Sequence, residues 1–164
     1  MPPFLSYLQR LSRTRERAIR EDILMPMSFS ENEWLMLRAV RPNILVIGRG
    51  DFVESTVSAL VAELPGPVAY LRPNAPPPAD ADVQMLVVPE VAALSADRQR
   101  EWLTWLNDLD ARHPQIVATS DVPVYPLVRR DQFSGVLYYR LNTILLDVQT
   151  AEAASRKERQ HWRF

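Results

Sequence analysis

The chain has 164 residues, 47% of them apolar, with 19 basic and 20 acidic side chains and no cysteine. Its length and apolar share suit one domain with a real hydrophobic core, and the missing thiols exclude disulfides, thiolate metal sites and cysteine nucleophiles. A net charge near zero gives no overall field for nucleic acid, and no apolar run reaches the roughly 18 residues that span a bilayer.

Met1-Pro2-Pro3-Phe4-Leu5 carries neither a positive leader nor a long apolar stretch, so no secretory signal is expected and a reducing, cytoplasmic setting is. Residues 1–29 read as a basic helical extension, with Arg10, Arg13, Arg15, Arg17 and Arg20 beside Phe4, Leu5, Leu8 and Leu11. Without interleaved aromatics, a solvated helical face outweighs a nucleic-acid or membrane-surface role. Ser30-Glu31-Asn32-Glu33 is a capping box, and its helix, through Trp34, Leu35, Leu37 and Val40, should stop near Arg41 because Pro42 disfavours helix before it. Residues 44–47 form a continuous apolar run, the mark of a strand buried on both faces. Gly48 and Gly50 make a turn, and residues 56–64 carry Val57, Leu60, Val61 and Leu64 at helical spacing before Pro65-Gly66-Pro67.

A second strand is expected at 68–71. Pro73-Asn74-Ala75-Pro76-Pro77-Pro78-Ala79-Asp80 can neither pair in a sheet nor continue a helix, and reads as an exposed, stiff loop. Residues 83–88 read as the third strand. Ser95 can cap a helix to Leu109 with Trp102, Leu103, Leu106 and Leu109 inward. Residues 115–119 read as the fourth strand, 124–141 as helical in their second half, and 143–148 as the fifth strand. The tail, 149–164, is charged and helix-prone and ends in His161-Trp162-Arg163-Phe164, whose aromatics suit either a partner groove or the chain's own domain. Strands alternating with helices imply a three-layer α/β sandwich on a five-stranded, mostly parallel sheet at 30–148.

Asn43-Ile44-Leu45-Val46-Ile47-Gly48-Arg49-Gly50-Asp51-Phe52-Val53-Glu54-Ser55 has the layout of a strand, a phosphate-binding loop and a helix. In G-x-x-x-x-G-K-[ST] the glycines let backbone N–H groups approach the phosphates and the lysine meets the β- and γ-phosphates. Counted from Gly48, the second glycine falls on Val53, the lysine on Glu54 and the hydroxyl residue on Ser55. A cation has become an anion, and two like charges about 4 Å apart repel by roughly 4 kcal/mol at an effective dielectric of 20. Ser55-Thr56 at a helix start can bind an anion through backbone amides, although Asp51 and Glu54 crowd that place with negative charge, which favours a simple cap.

Further on, Gln115-Ile116-Val117-Ala118-Thr119-Ser120-Asp121, then Leu127-Val128, then Gln132-Phe133-Ser134-Gly135-Val136-Leu137-Tyr138-Tyr139-Arg140-Leu141-Asn142 resembles the sigma-54-dependent transcription activators, bacterial AAA+ ATPases. Their pattern is close to R-I-I-A-A-T-N, then L-V-x-x-G-x-F-R-x-D-L-Y-Y-R-L-N. The resemblance covers about residues 30–148 and implies a P-loop, AAA+-type fold with sheet order 5-1-4-3-2. It also implies roles that this chain has altered. Where the family's Walker B strand ends in Asp-Glu, to hold Mg²⁺ and polarise water, this chain has Pro89-Glu90. Proline offers the metal no acceptor. The sensor asparagine aligns with Asp121, and the first arginine of the pair that completes a neighbour's site aligns with Ser134, leaving Arg140. Phosphoryl transfer is mostly positioning and charge stabilisation, so these losses together imply a pseudo-ATPase with no catalytic residues beyond vestigial Glu90 and Arg140. The remnant of the nucleotide site is Gly48, Gly50, Glu54, Ser55, Thr56, Pro89 and Asp121, with ATP and Mg²⁺ disfavoured as cofactors.

Only residues 72–84 lie between Leu71 and Met85, and the family's G-A-F-T-G-A loop for sigma-54 is missing, as are the helical lid and a C-terminal helix-turn-helix. Fold is therefore implied more strongly than sigma-54 contact, and no direct DNA-binding motif is present. His113 and His161 have no neighbours at metal-ligand spacing, so no metal is expected, and no G-x-S-x-G elbow supports a serine triad. The reading is a regulatory or scaffold protein in transcription that works through protein contacts, with self-association or a related AAA+ protein among the partners, and with no membrane. Two alternatives stand beside it: a divergent ATPase completed by a partner subunit, using Glu90 and Arg140, and a small-ligand sensor with Glu54, Asp51 and Asp121 as an acidic wall.

Overall fold

The computed structural model describes residues 29–79, 82–108 and 113–149. The expected basic extension, most of the charged tail with His161, Trp162 and Phe164, and Leu109 lie outside the described residues.

Helix α1 (Glu31–Val40) starts at the capping box: Glu33 N–H donates to Ser30 Oγ at 3.4 Å, and Ser30 N–H donates to Glu33 Oε2 at 2.7 Å. It ends at Arg41, whose left-handed backbone (φ 51°) turns the chain and whose N–H donates to Leu37 O at 3.0 Å. Strand β1 (Ile44–Ile47) is fully buried, as its unbroken apolar run requires. Helix α2 spans Asp51–Glu63. It begins earlier than the hydrophobic spacing indicated, because Gly50 takes a positive φ of 61° and lets the chain enter the helix at once. Ser55 and Thr56 therefore sit in the helix body and cannot cap it. Thr56 is buried and its hydroxyl donates back to Phe52 O at 2.7 Å.

Strand β2 (Val68–Tyr70) is an edge strand, and β3 (Met85–Val88) is buried throughout. The expected start at Val83 shifts to Met85, although Gln84 already bonds to both flanking segments, its N–H donating to Pro67 O at 2.9 Å and its carbonyl accepting from Gln115 N–H at 3.0 Å. The proline-rich loop between them is tied down: Trp102 Nε1 donates to Ala75 O at 3.1 Å and Ser95 N–H donates to Asn74 Oδ1 at 3.2 Å. After a 3-10 turn (Val91–Ala93), α3 (Ala96–Leu106) runs under its Ser95 cap and stops at Asn107, short of Leu109. Strand β4 (Gln115–Ser120) is followed by two helices, α4 (Tyr125–Val128) and α5 (Gly135–Leu141), where sequence spacing indicated only the second, and then by β5 (Ile144–Asp147).

All four strand pairings are parallel, and the order β2-β3-β4-β1-β5 is 5-1-4-3-2 read from the other edge. Alternation splits the strands into two cores. Leu45, Ile47, Leu86, Val88 and Ile116 face Trp102 and Leu106 of α3 and Leu137 of α5. Ile44, Val46, Met85, Val87 and Val117 face Leu37 of α1 and Val57 and Leu60 of α2. Each fully buried Val, Leu or Ile is worth about 1.5–3 kcal/mol, so the two apolar faces hold the layers together. Among the described residues no helix is long and apolar enough to cross a membrane.

Candidate functional site

In an open parallel sheet the crevice lies outside the carboxyl ends of the strands, where the strand order reverses. Here β1 leads to one side and β4 and β3 to the other, and the loops that follow them enclose a cleft of about 500 Å³. Gly48, Arg49, Gly50, Val53 and Glu54 line it from β1 and α2. Leu71, Arg72 and Pro73 close it from β2, Pro89 and Glu90 from β3, and Thr119, Ser120 and Asp121 from β4.

Gly48 is required by packing. A Cβ there would lie 2.3 Å from Val148 Cγ2, and Val148 is fully buried just beyond β5. Its N–H donates to Ser120 O at 2.9 Å, which locks the loop to β4. From Gly50 the chain turns directly into α2, so the N–H groups of Val53 and Glu54 donate to Gly50 O at 3.1 and 3.2 Å. These amides belong to the helix ladder. Pro89 ends β3, and Glu90 is held in the left-handed region (φ 53°, ψ 47°), its N–H donating to Thr119 Oγ1 at 3.4 Å. For a residue with a side chain that conformation costs about 1–2 kcal/mol. Ser120 is buried and spends its hydroxyl on a local turn, donating to Val122 O at 2.5 Å.

The structure thus brings Gly48, Gly50, Glu54, Pro89, Glu90 and Asp121 to one cleft. Ser55 and Thr56 are not among its lining residues, because α2 starts at Asp51. Arg140 is elsewhere, its Nη2 donating to Asn107 Oδ1 at 3.0 Å. Ser134 caps α5 through Leu137 N–H at 3.3 Å. Two cations were missed, Arg49 and Arg72. Arg49 Nε donates to Asp121 O at 3.3 Å. Asp51 does not line the cleft, so the expected acidic wall is instead a mixed one, with Glu54, Glu90 and Asp121 among two arginines. The signal was available, since residues that follow the strands of a parallel sheet converge on its crevice and Arg72 follows the second strand. Among the described residues no group of three His, Asp or Glu side chains can hold a metal ion.

Five parallel strands in this order, with a glycine turn from β1 into a helix at the crevice, define the P-loop NTPase fold of the AAA+ type. Residues 32–150 match the family described as the sigma-54 interaction domain, and the chain belongs to that family. Among solved structures it is similar to NtrX from Brucella abortus in complex with ADP, at 17% identity and a TM-score of 0.57, over 88% of this chain and 41% of that one. NtrX from the same organism in complex with ATP matches at 15% identity and a TM-score of 0.55, over 87% of this chain and 42% of that one. The chain therefore spans about two fifths of the length of the NtrX chains. No curated protein matches it significantly.

Proposed function

We propose that this domain is a non-hydrolysing member of its family, acting as a regulatory or scaffold element through protein contacts. The observation that carries the reading is the state of the loop after β1. A phosphate-binding loop needs backbone N–H groups facing the phosphates and a lysine beyond them. Here the amides of Val53 and Glu54 are spent on Gly50 O, and an acidic residue, Glu54, lines the cleft. Pro89 adds no metal ligand at the end of β3, and Ser134 is occupied in capping a helix. The residues present do not fit Mg²⁺-triphosphate. Calorimetric titration with ATP and Mg²⁺, beside a phosphate-release assay, tests the reading. Neither heat of binding nor release is expected, and micromolar binding with turnover would end it.

Glu90 favours a second reading, an ATPase completed by a partner subunit. Strained backbone gathers at functional sites, and Glu90 holds a left-handed conformation at the cleft. On that reading phosphate release arises only in an assembled complex and disappears in Glu90→Gln.

A further inference from the structure

The cleft gathers charges of both signs that the fold leaves unspent. In the sheet order β1, β4, β3, β2, the lining residues just beyond the strand ends include Arg49, Asp121, Glu90 and Arg72, so two acidic residues stand between two basic ones. Three strand spacings, about 14 Å, separate the ends of that row. Glu54 joins it from the first turn of α2 and is half-buried. Among the described residues, the carboxylates of Glu54, Glu90 and Asp121 have no hydrogen-bond or ion-pair partner. Asp121 contributes its carbonyl instead, which accepts from Arg49 Nε at 3.3 Å and from Gln149 Nε2 at 3.4 Å. Arg49 is tied at Nε alone, so both Nη groups of its guanidinium are unspent among the described residues.

A lone anion in this cleft meets three acidic residues, and a lone cation meets two arginines. A molecule that carries both charges leaves neither sign opposed. The amides of Val53 and Glu54, spent on Gly50 O, add nothing for a phosphate. Val53, Leu71, Pro73 and Pro89 supply apolar wall, and about 500 Å³ with a few charged groups is the make-up of a small-molecule site. An arginine fork takes a carboxylate bidentately, and an ammonium offers three donors to carboxylates. We propose that the cleft binds a small zwitterion of the amino-acid class, free or as a dipeptide. Its carboxylate sits on Arg49, its ammonium meets Asp121 and Glu90 at adjacent strand ends, and its apolar side chain lies toward Val53 and Pro89. The proposal goes beyond the protein-contact reading and rests on it only in that Mg²⁺-triphosphate does not hold the cleft.

The test is calorimetric titration of the full 164-residue chain with the twenty free amino acids and a panel of dipeptides built from the apolar ones. An apolar member of one set or the other is expected to bind, and the set it comes from identifies the source. Its amide and its N-acetyl derivative, each lacking one charge, should bind about tenfold more weakly or worse. Arg49→Ala and Asp121→Asn should each cause a similar loss with melting unchanged; the second keeps the carbonyl that holds Arg49 and Gln149. The proposal is overturned if no zwitterion binds, if the capped forms bind as well as the free ones, or if both variants bind like the parent. Inorganic phosphate or cadaverine binding more tightly than every zwitterion overturns it in favour of an anion or a cation site. Turnover of ATP beside a bound zwitterion would remove the non-hydrolysing reading and leave this result standing. Silence toward both ATP and zwitterions removes this proposal alone, so the two fail separately.

Discussion

Glu90 and Gly48 show opposite ways in which one residue constrains this cleft. Glu90 has a side chain where the backbone favours none. Glu90→Gly removes a left-handed cost of about 1–2 kcal/mol and adds back about 0.5–1 kcal/mol of unfolded-chain freedom. Urea denaturation should find it as stable as the parent or slightly more so, and Glu90→Val clearly less stable. A marked loss in Glu90→Gly would mean that the carboxylate itself holds the fold. Gly48 is limited by space alone. Its Cβ would strike Val148, which is fully buried at a branched carbon and cannot swing away. Gly48→Ala should cost about 1–3 kcal/mol by overpacking, and Val148→Ala in the same chain should return part of it. The motif pattern marks Gly48 as a phosphate-loop glycine, yet its neighbour here is the end of β5, a contact between distant segments that no local spacing reveals.

Among the elements, α1 depends on its cap. Glu33 is held below the usual carboxylate range by the Ser30 backbone N–H and then by the Ser30 hydroxyl. A carboxylate with a depressed folded pKa contributes stability that is present above its unfolded pKa and lost as pH falls through the folded value. Melting of the parent should therefore decline with acid through that range more than melting of Glu33→Gln, and parallel curves would refute the linkage. Ser30→Ala should cost about 0.5–2 kcal/mol. Between α3 and α5 the buried Gln99 accepts from Ser134 N–H at 2.7 Å and donates to Leu94 O and Gln132 O at 2.9 and 3.2 Å. Gln99→Leu strands those groups, each at about 1–3 kcal/mol if left unsatisfied, and faster amide exchange at Ser134 is the expected mark. The capping box was legible because its reciprocal bonds are three residues apart. The Gln99 bridge to residue 134 was not, because its partners meet only after the chain has crossed the sheet.

For the molecule as a whole, the arrangement of charge around the cleft decides what reverting single positions can achieve. Glu54→Lys turns the lining from two arginines against three carboxylates into three cations against two. It should give detectable ATP binding by calorimetry but no phosphate release, because Pro89 still offers no metal ligand and the loop amides stay in the helix. Turnover by Glu54→Lys alone would show that the loop opens for nucleotide. The order of the strands and of every helix but α4, the buried character of the central strands and the residue types at Glu54, Pro89 and Asp121 were legible in the sequence, because periodicity, turn chemistry and residue type are local. Tertiary structure alone decided where those residues stand: Arg49 and Arg72 inside the cleft, Ser55, Thr56 and Asp51 outside it, and Arg140 on Asn107. The physical reason is that a parallel sheet gathers segments far apart in sequence at one edge. A single positive φ at Gly50 then sets which residues of α2 reach it.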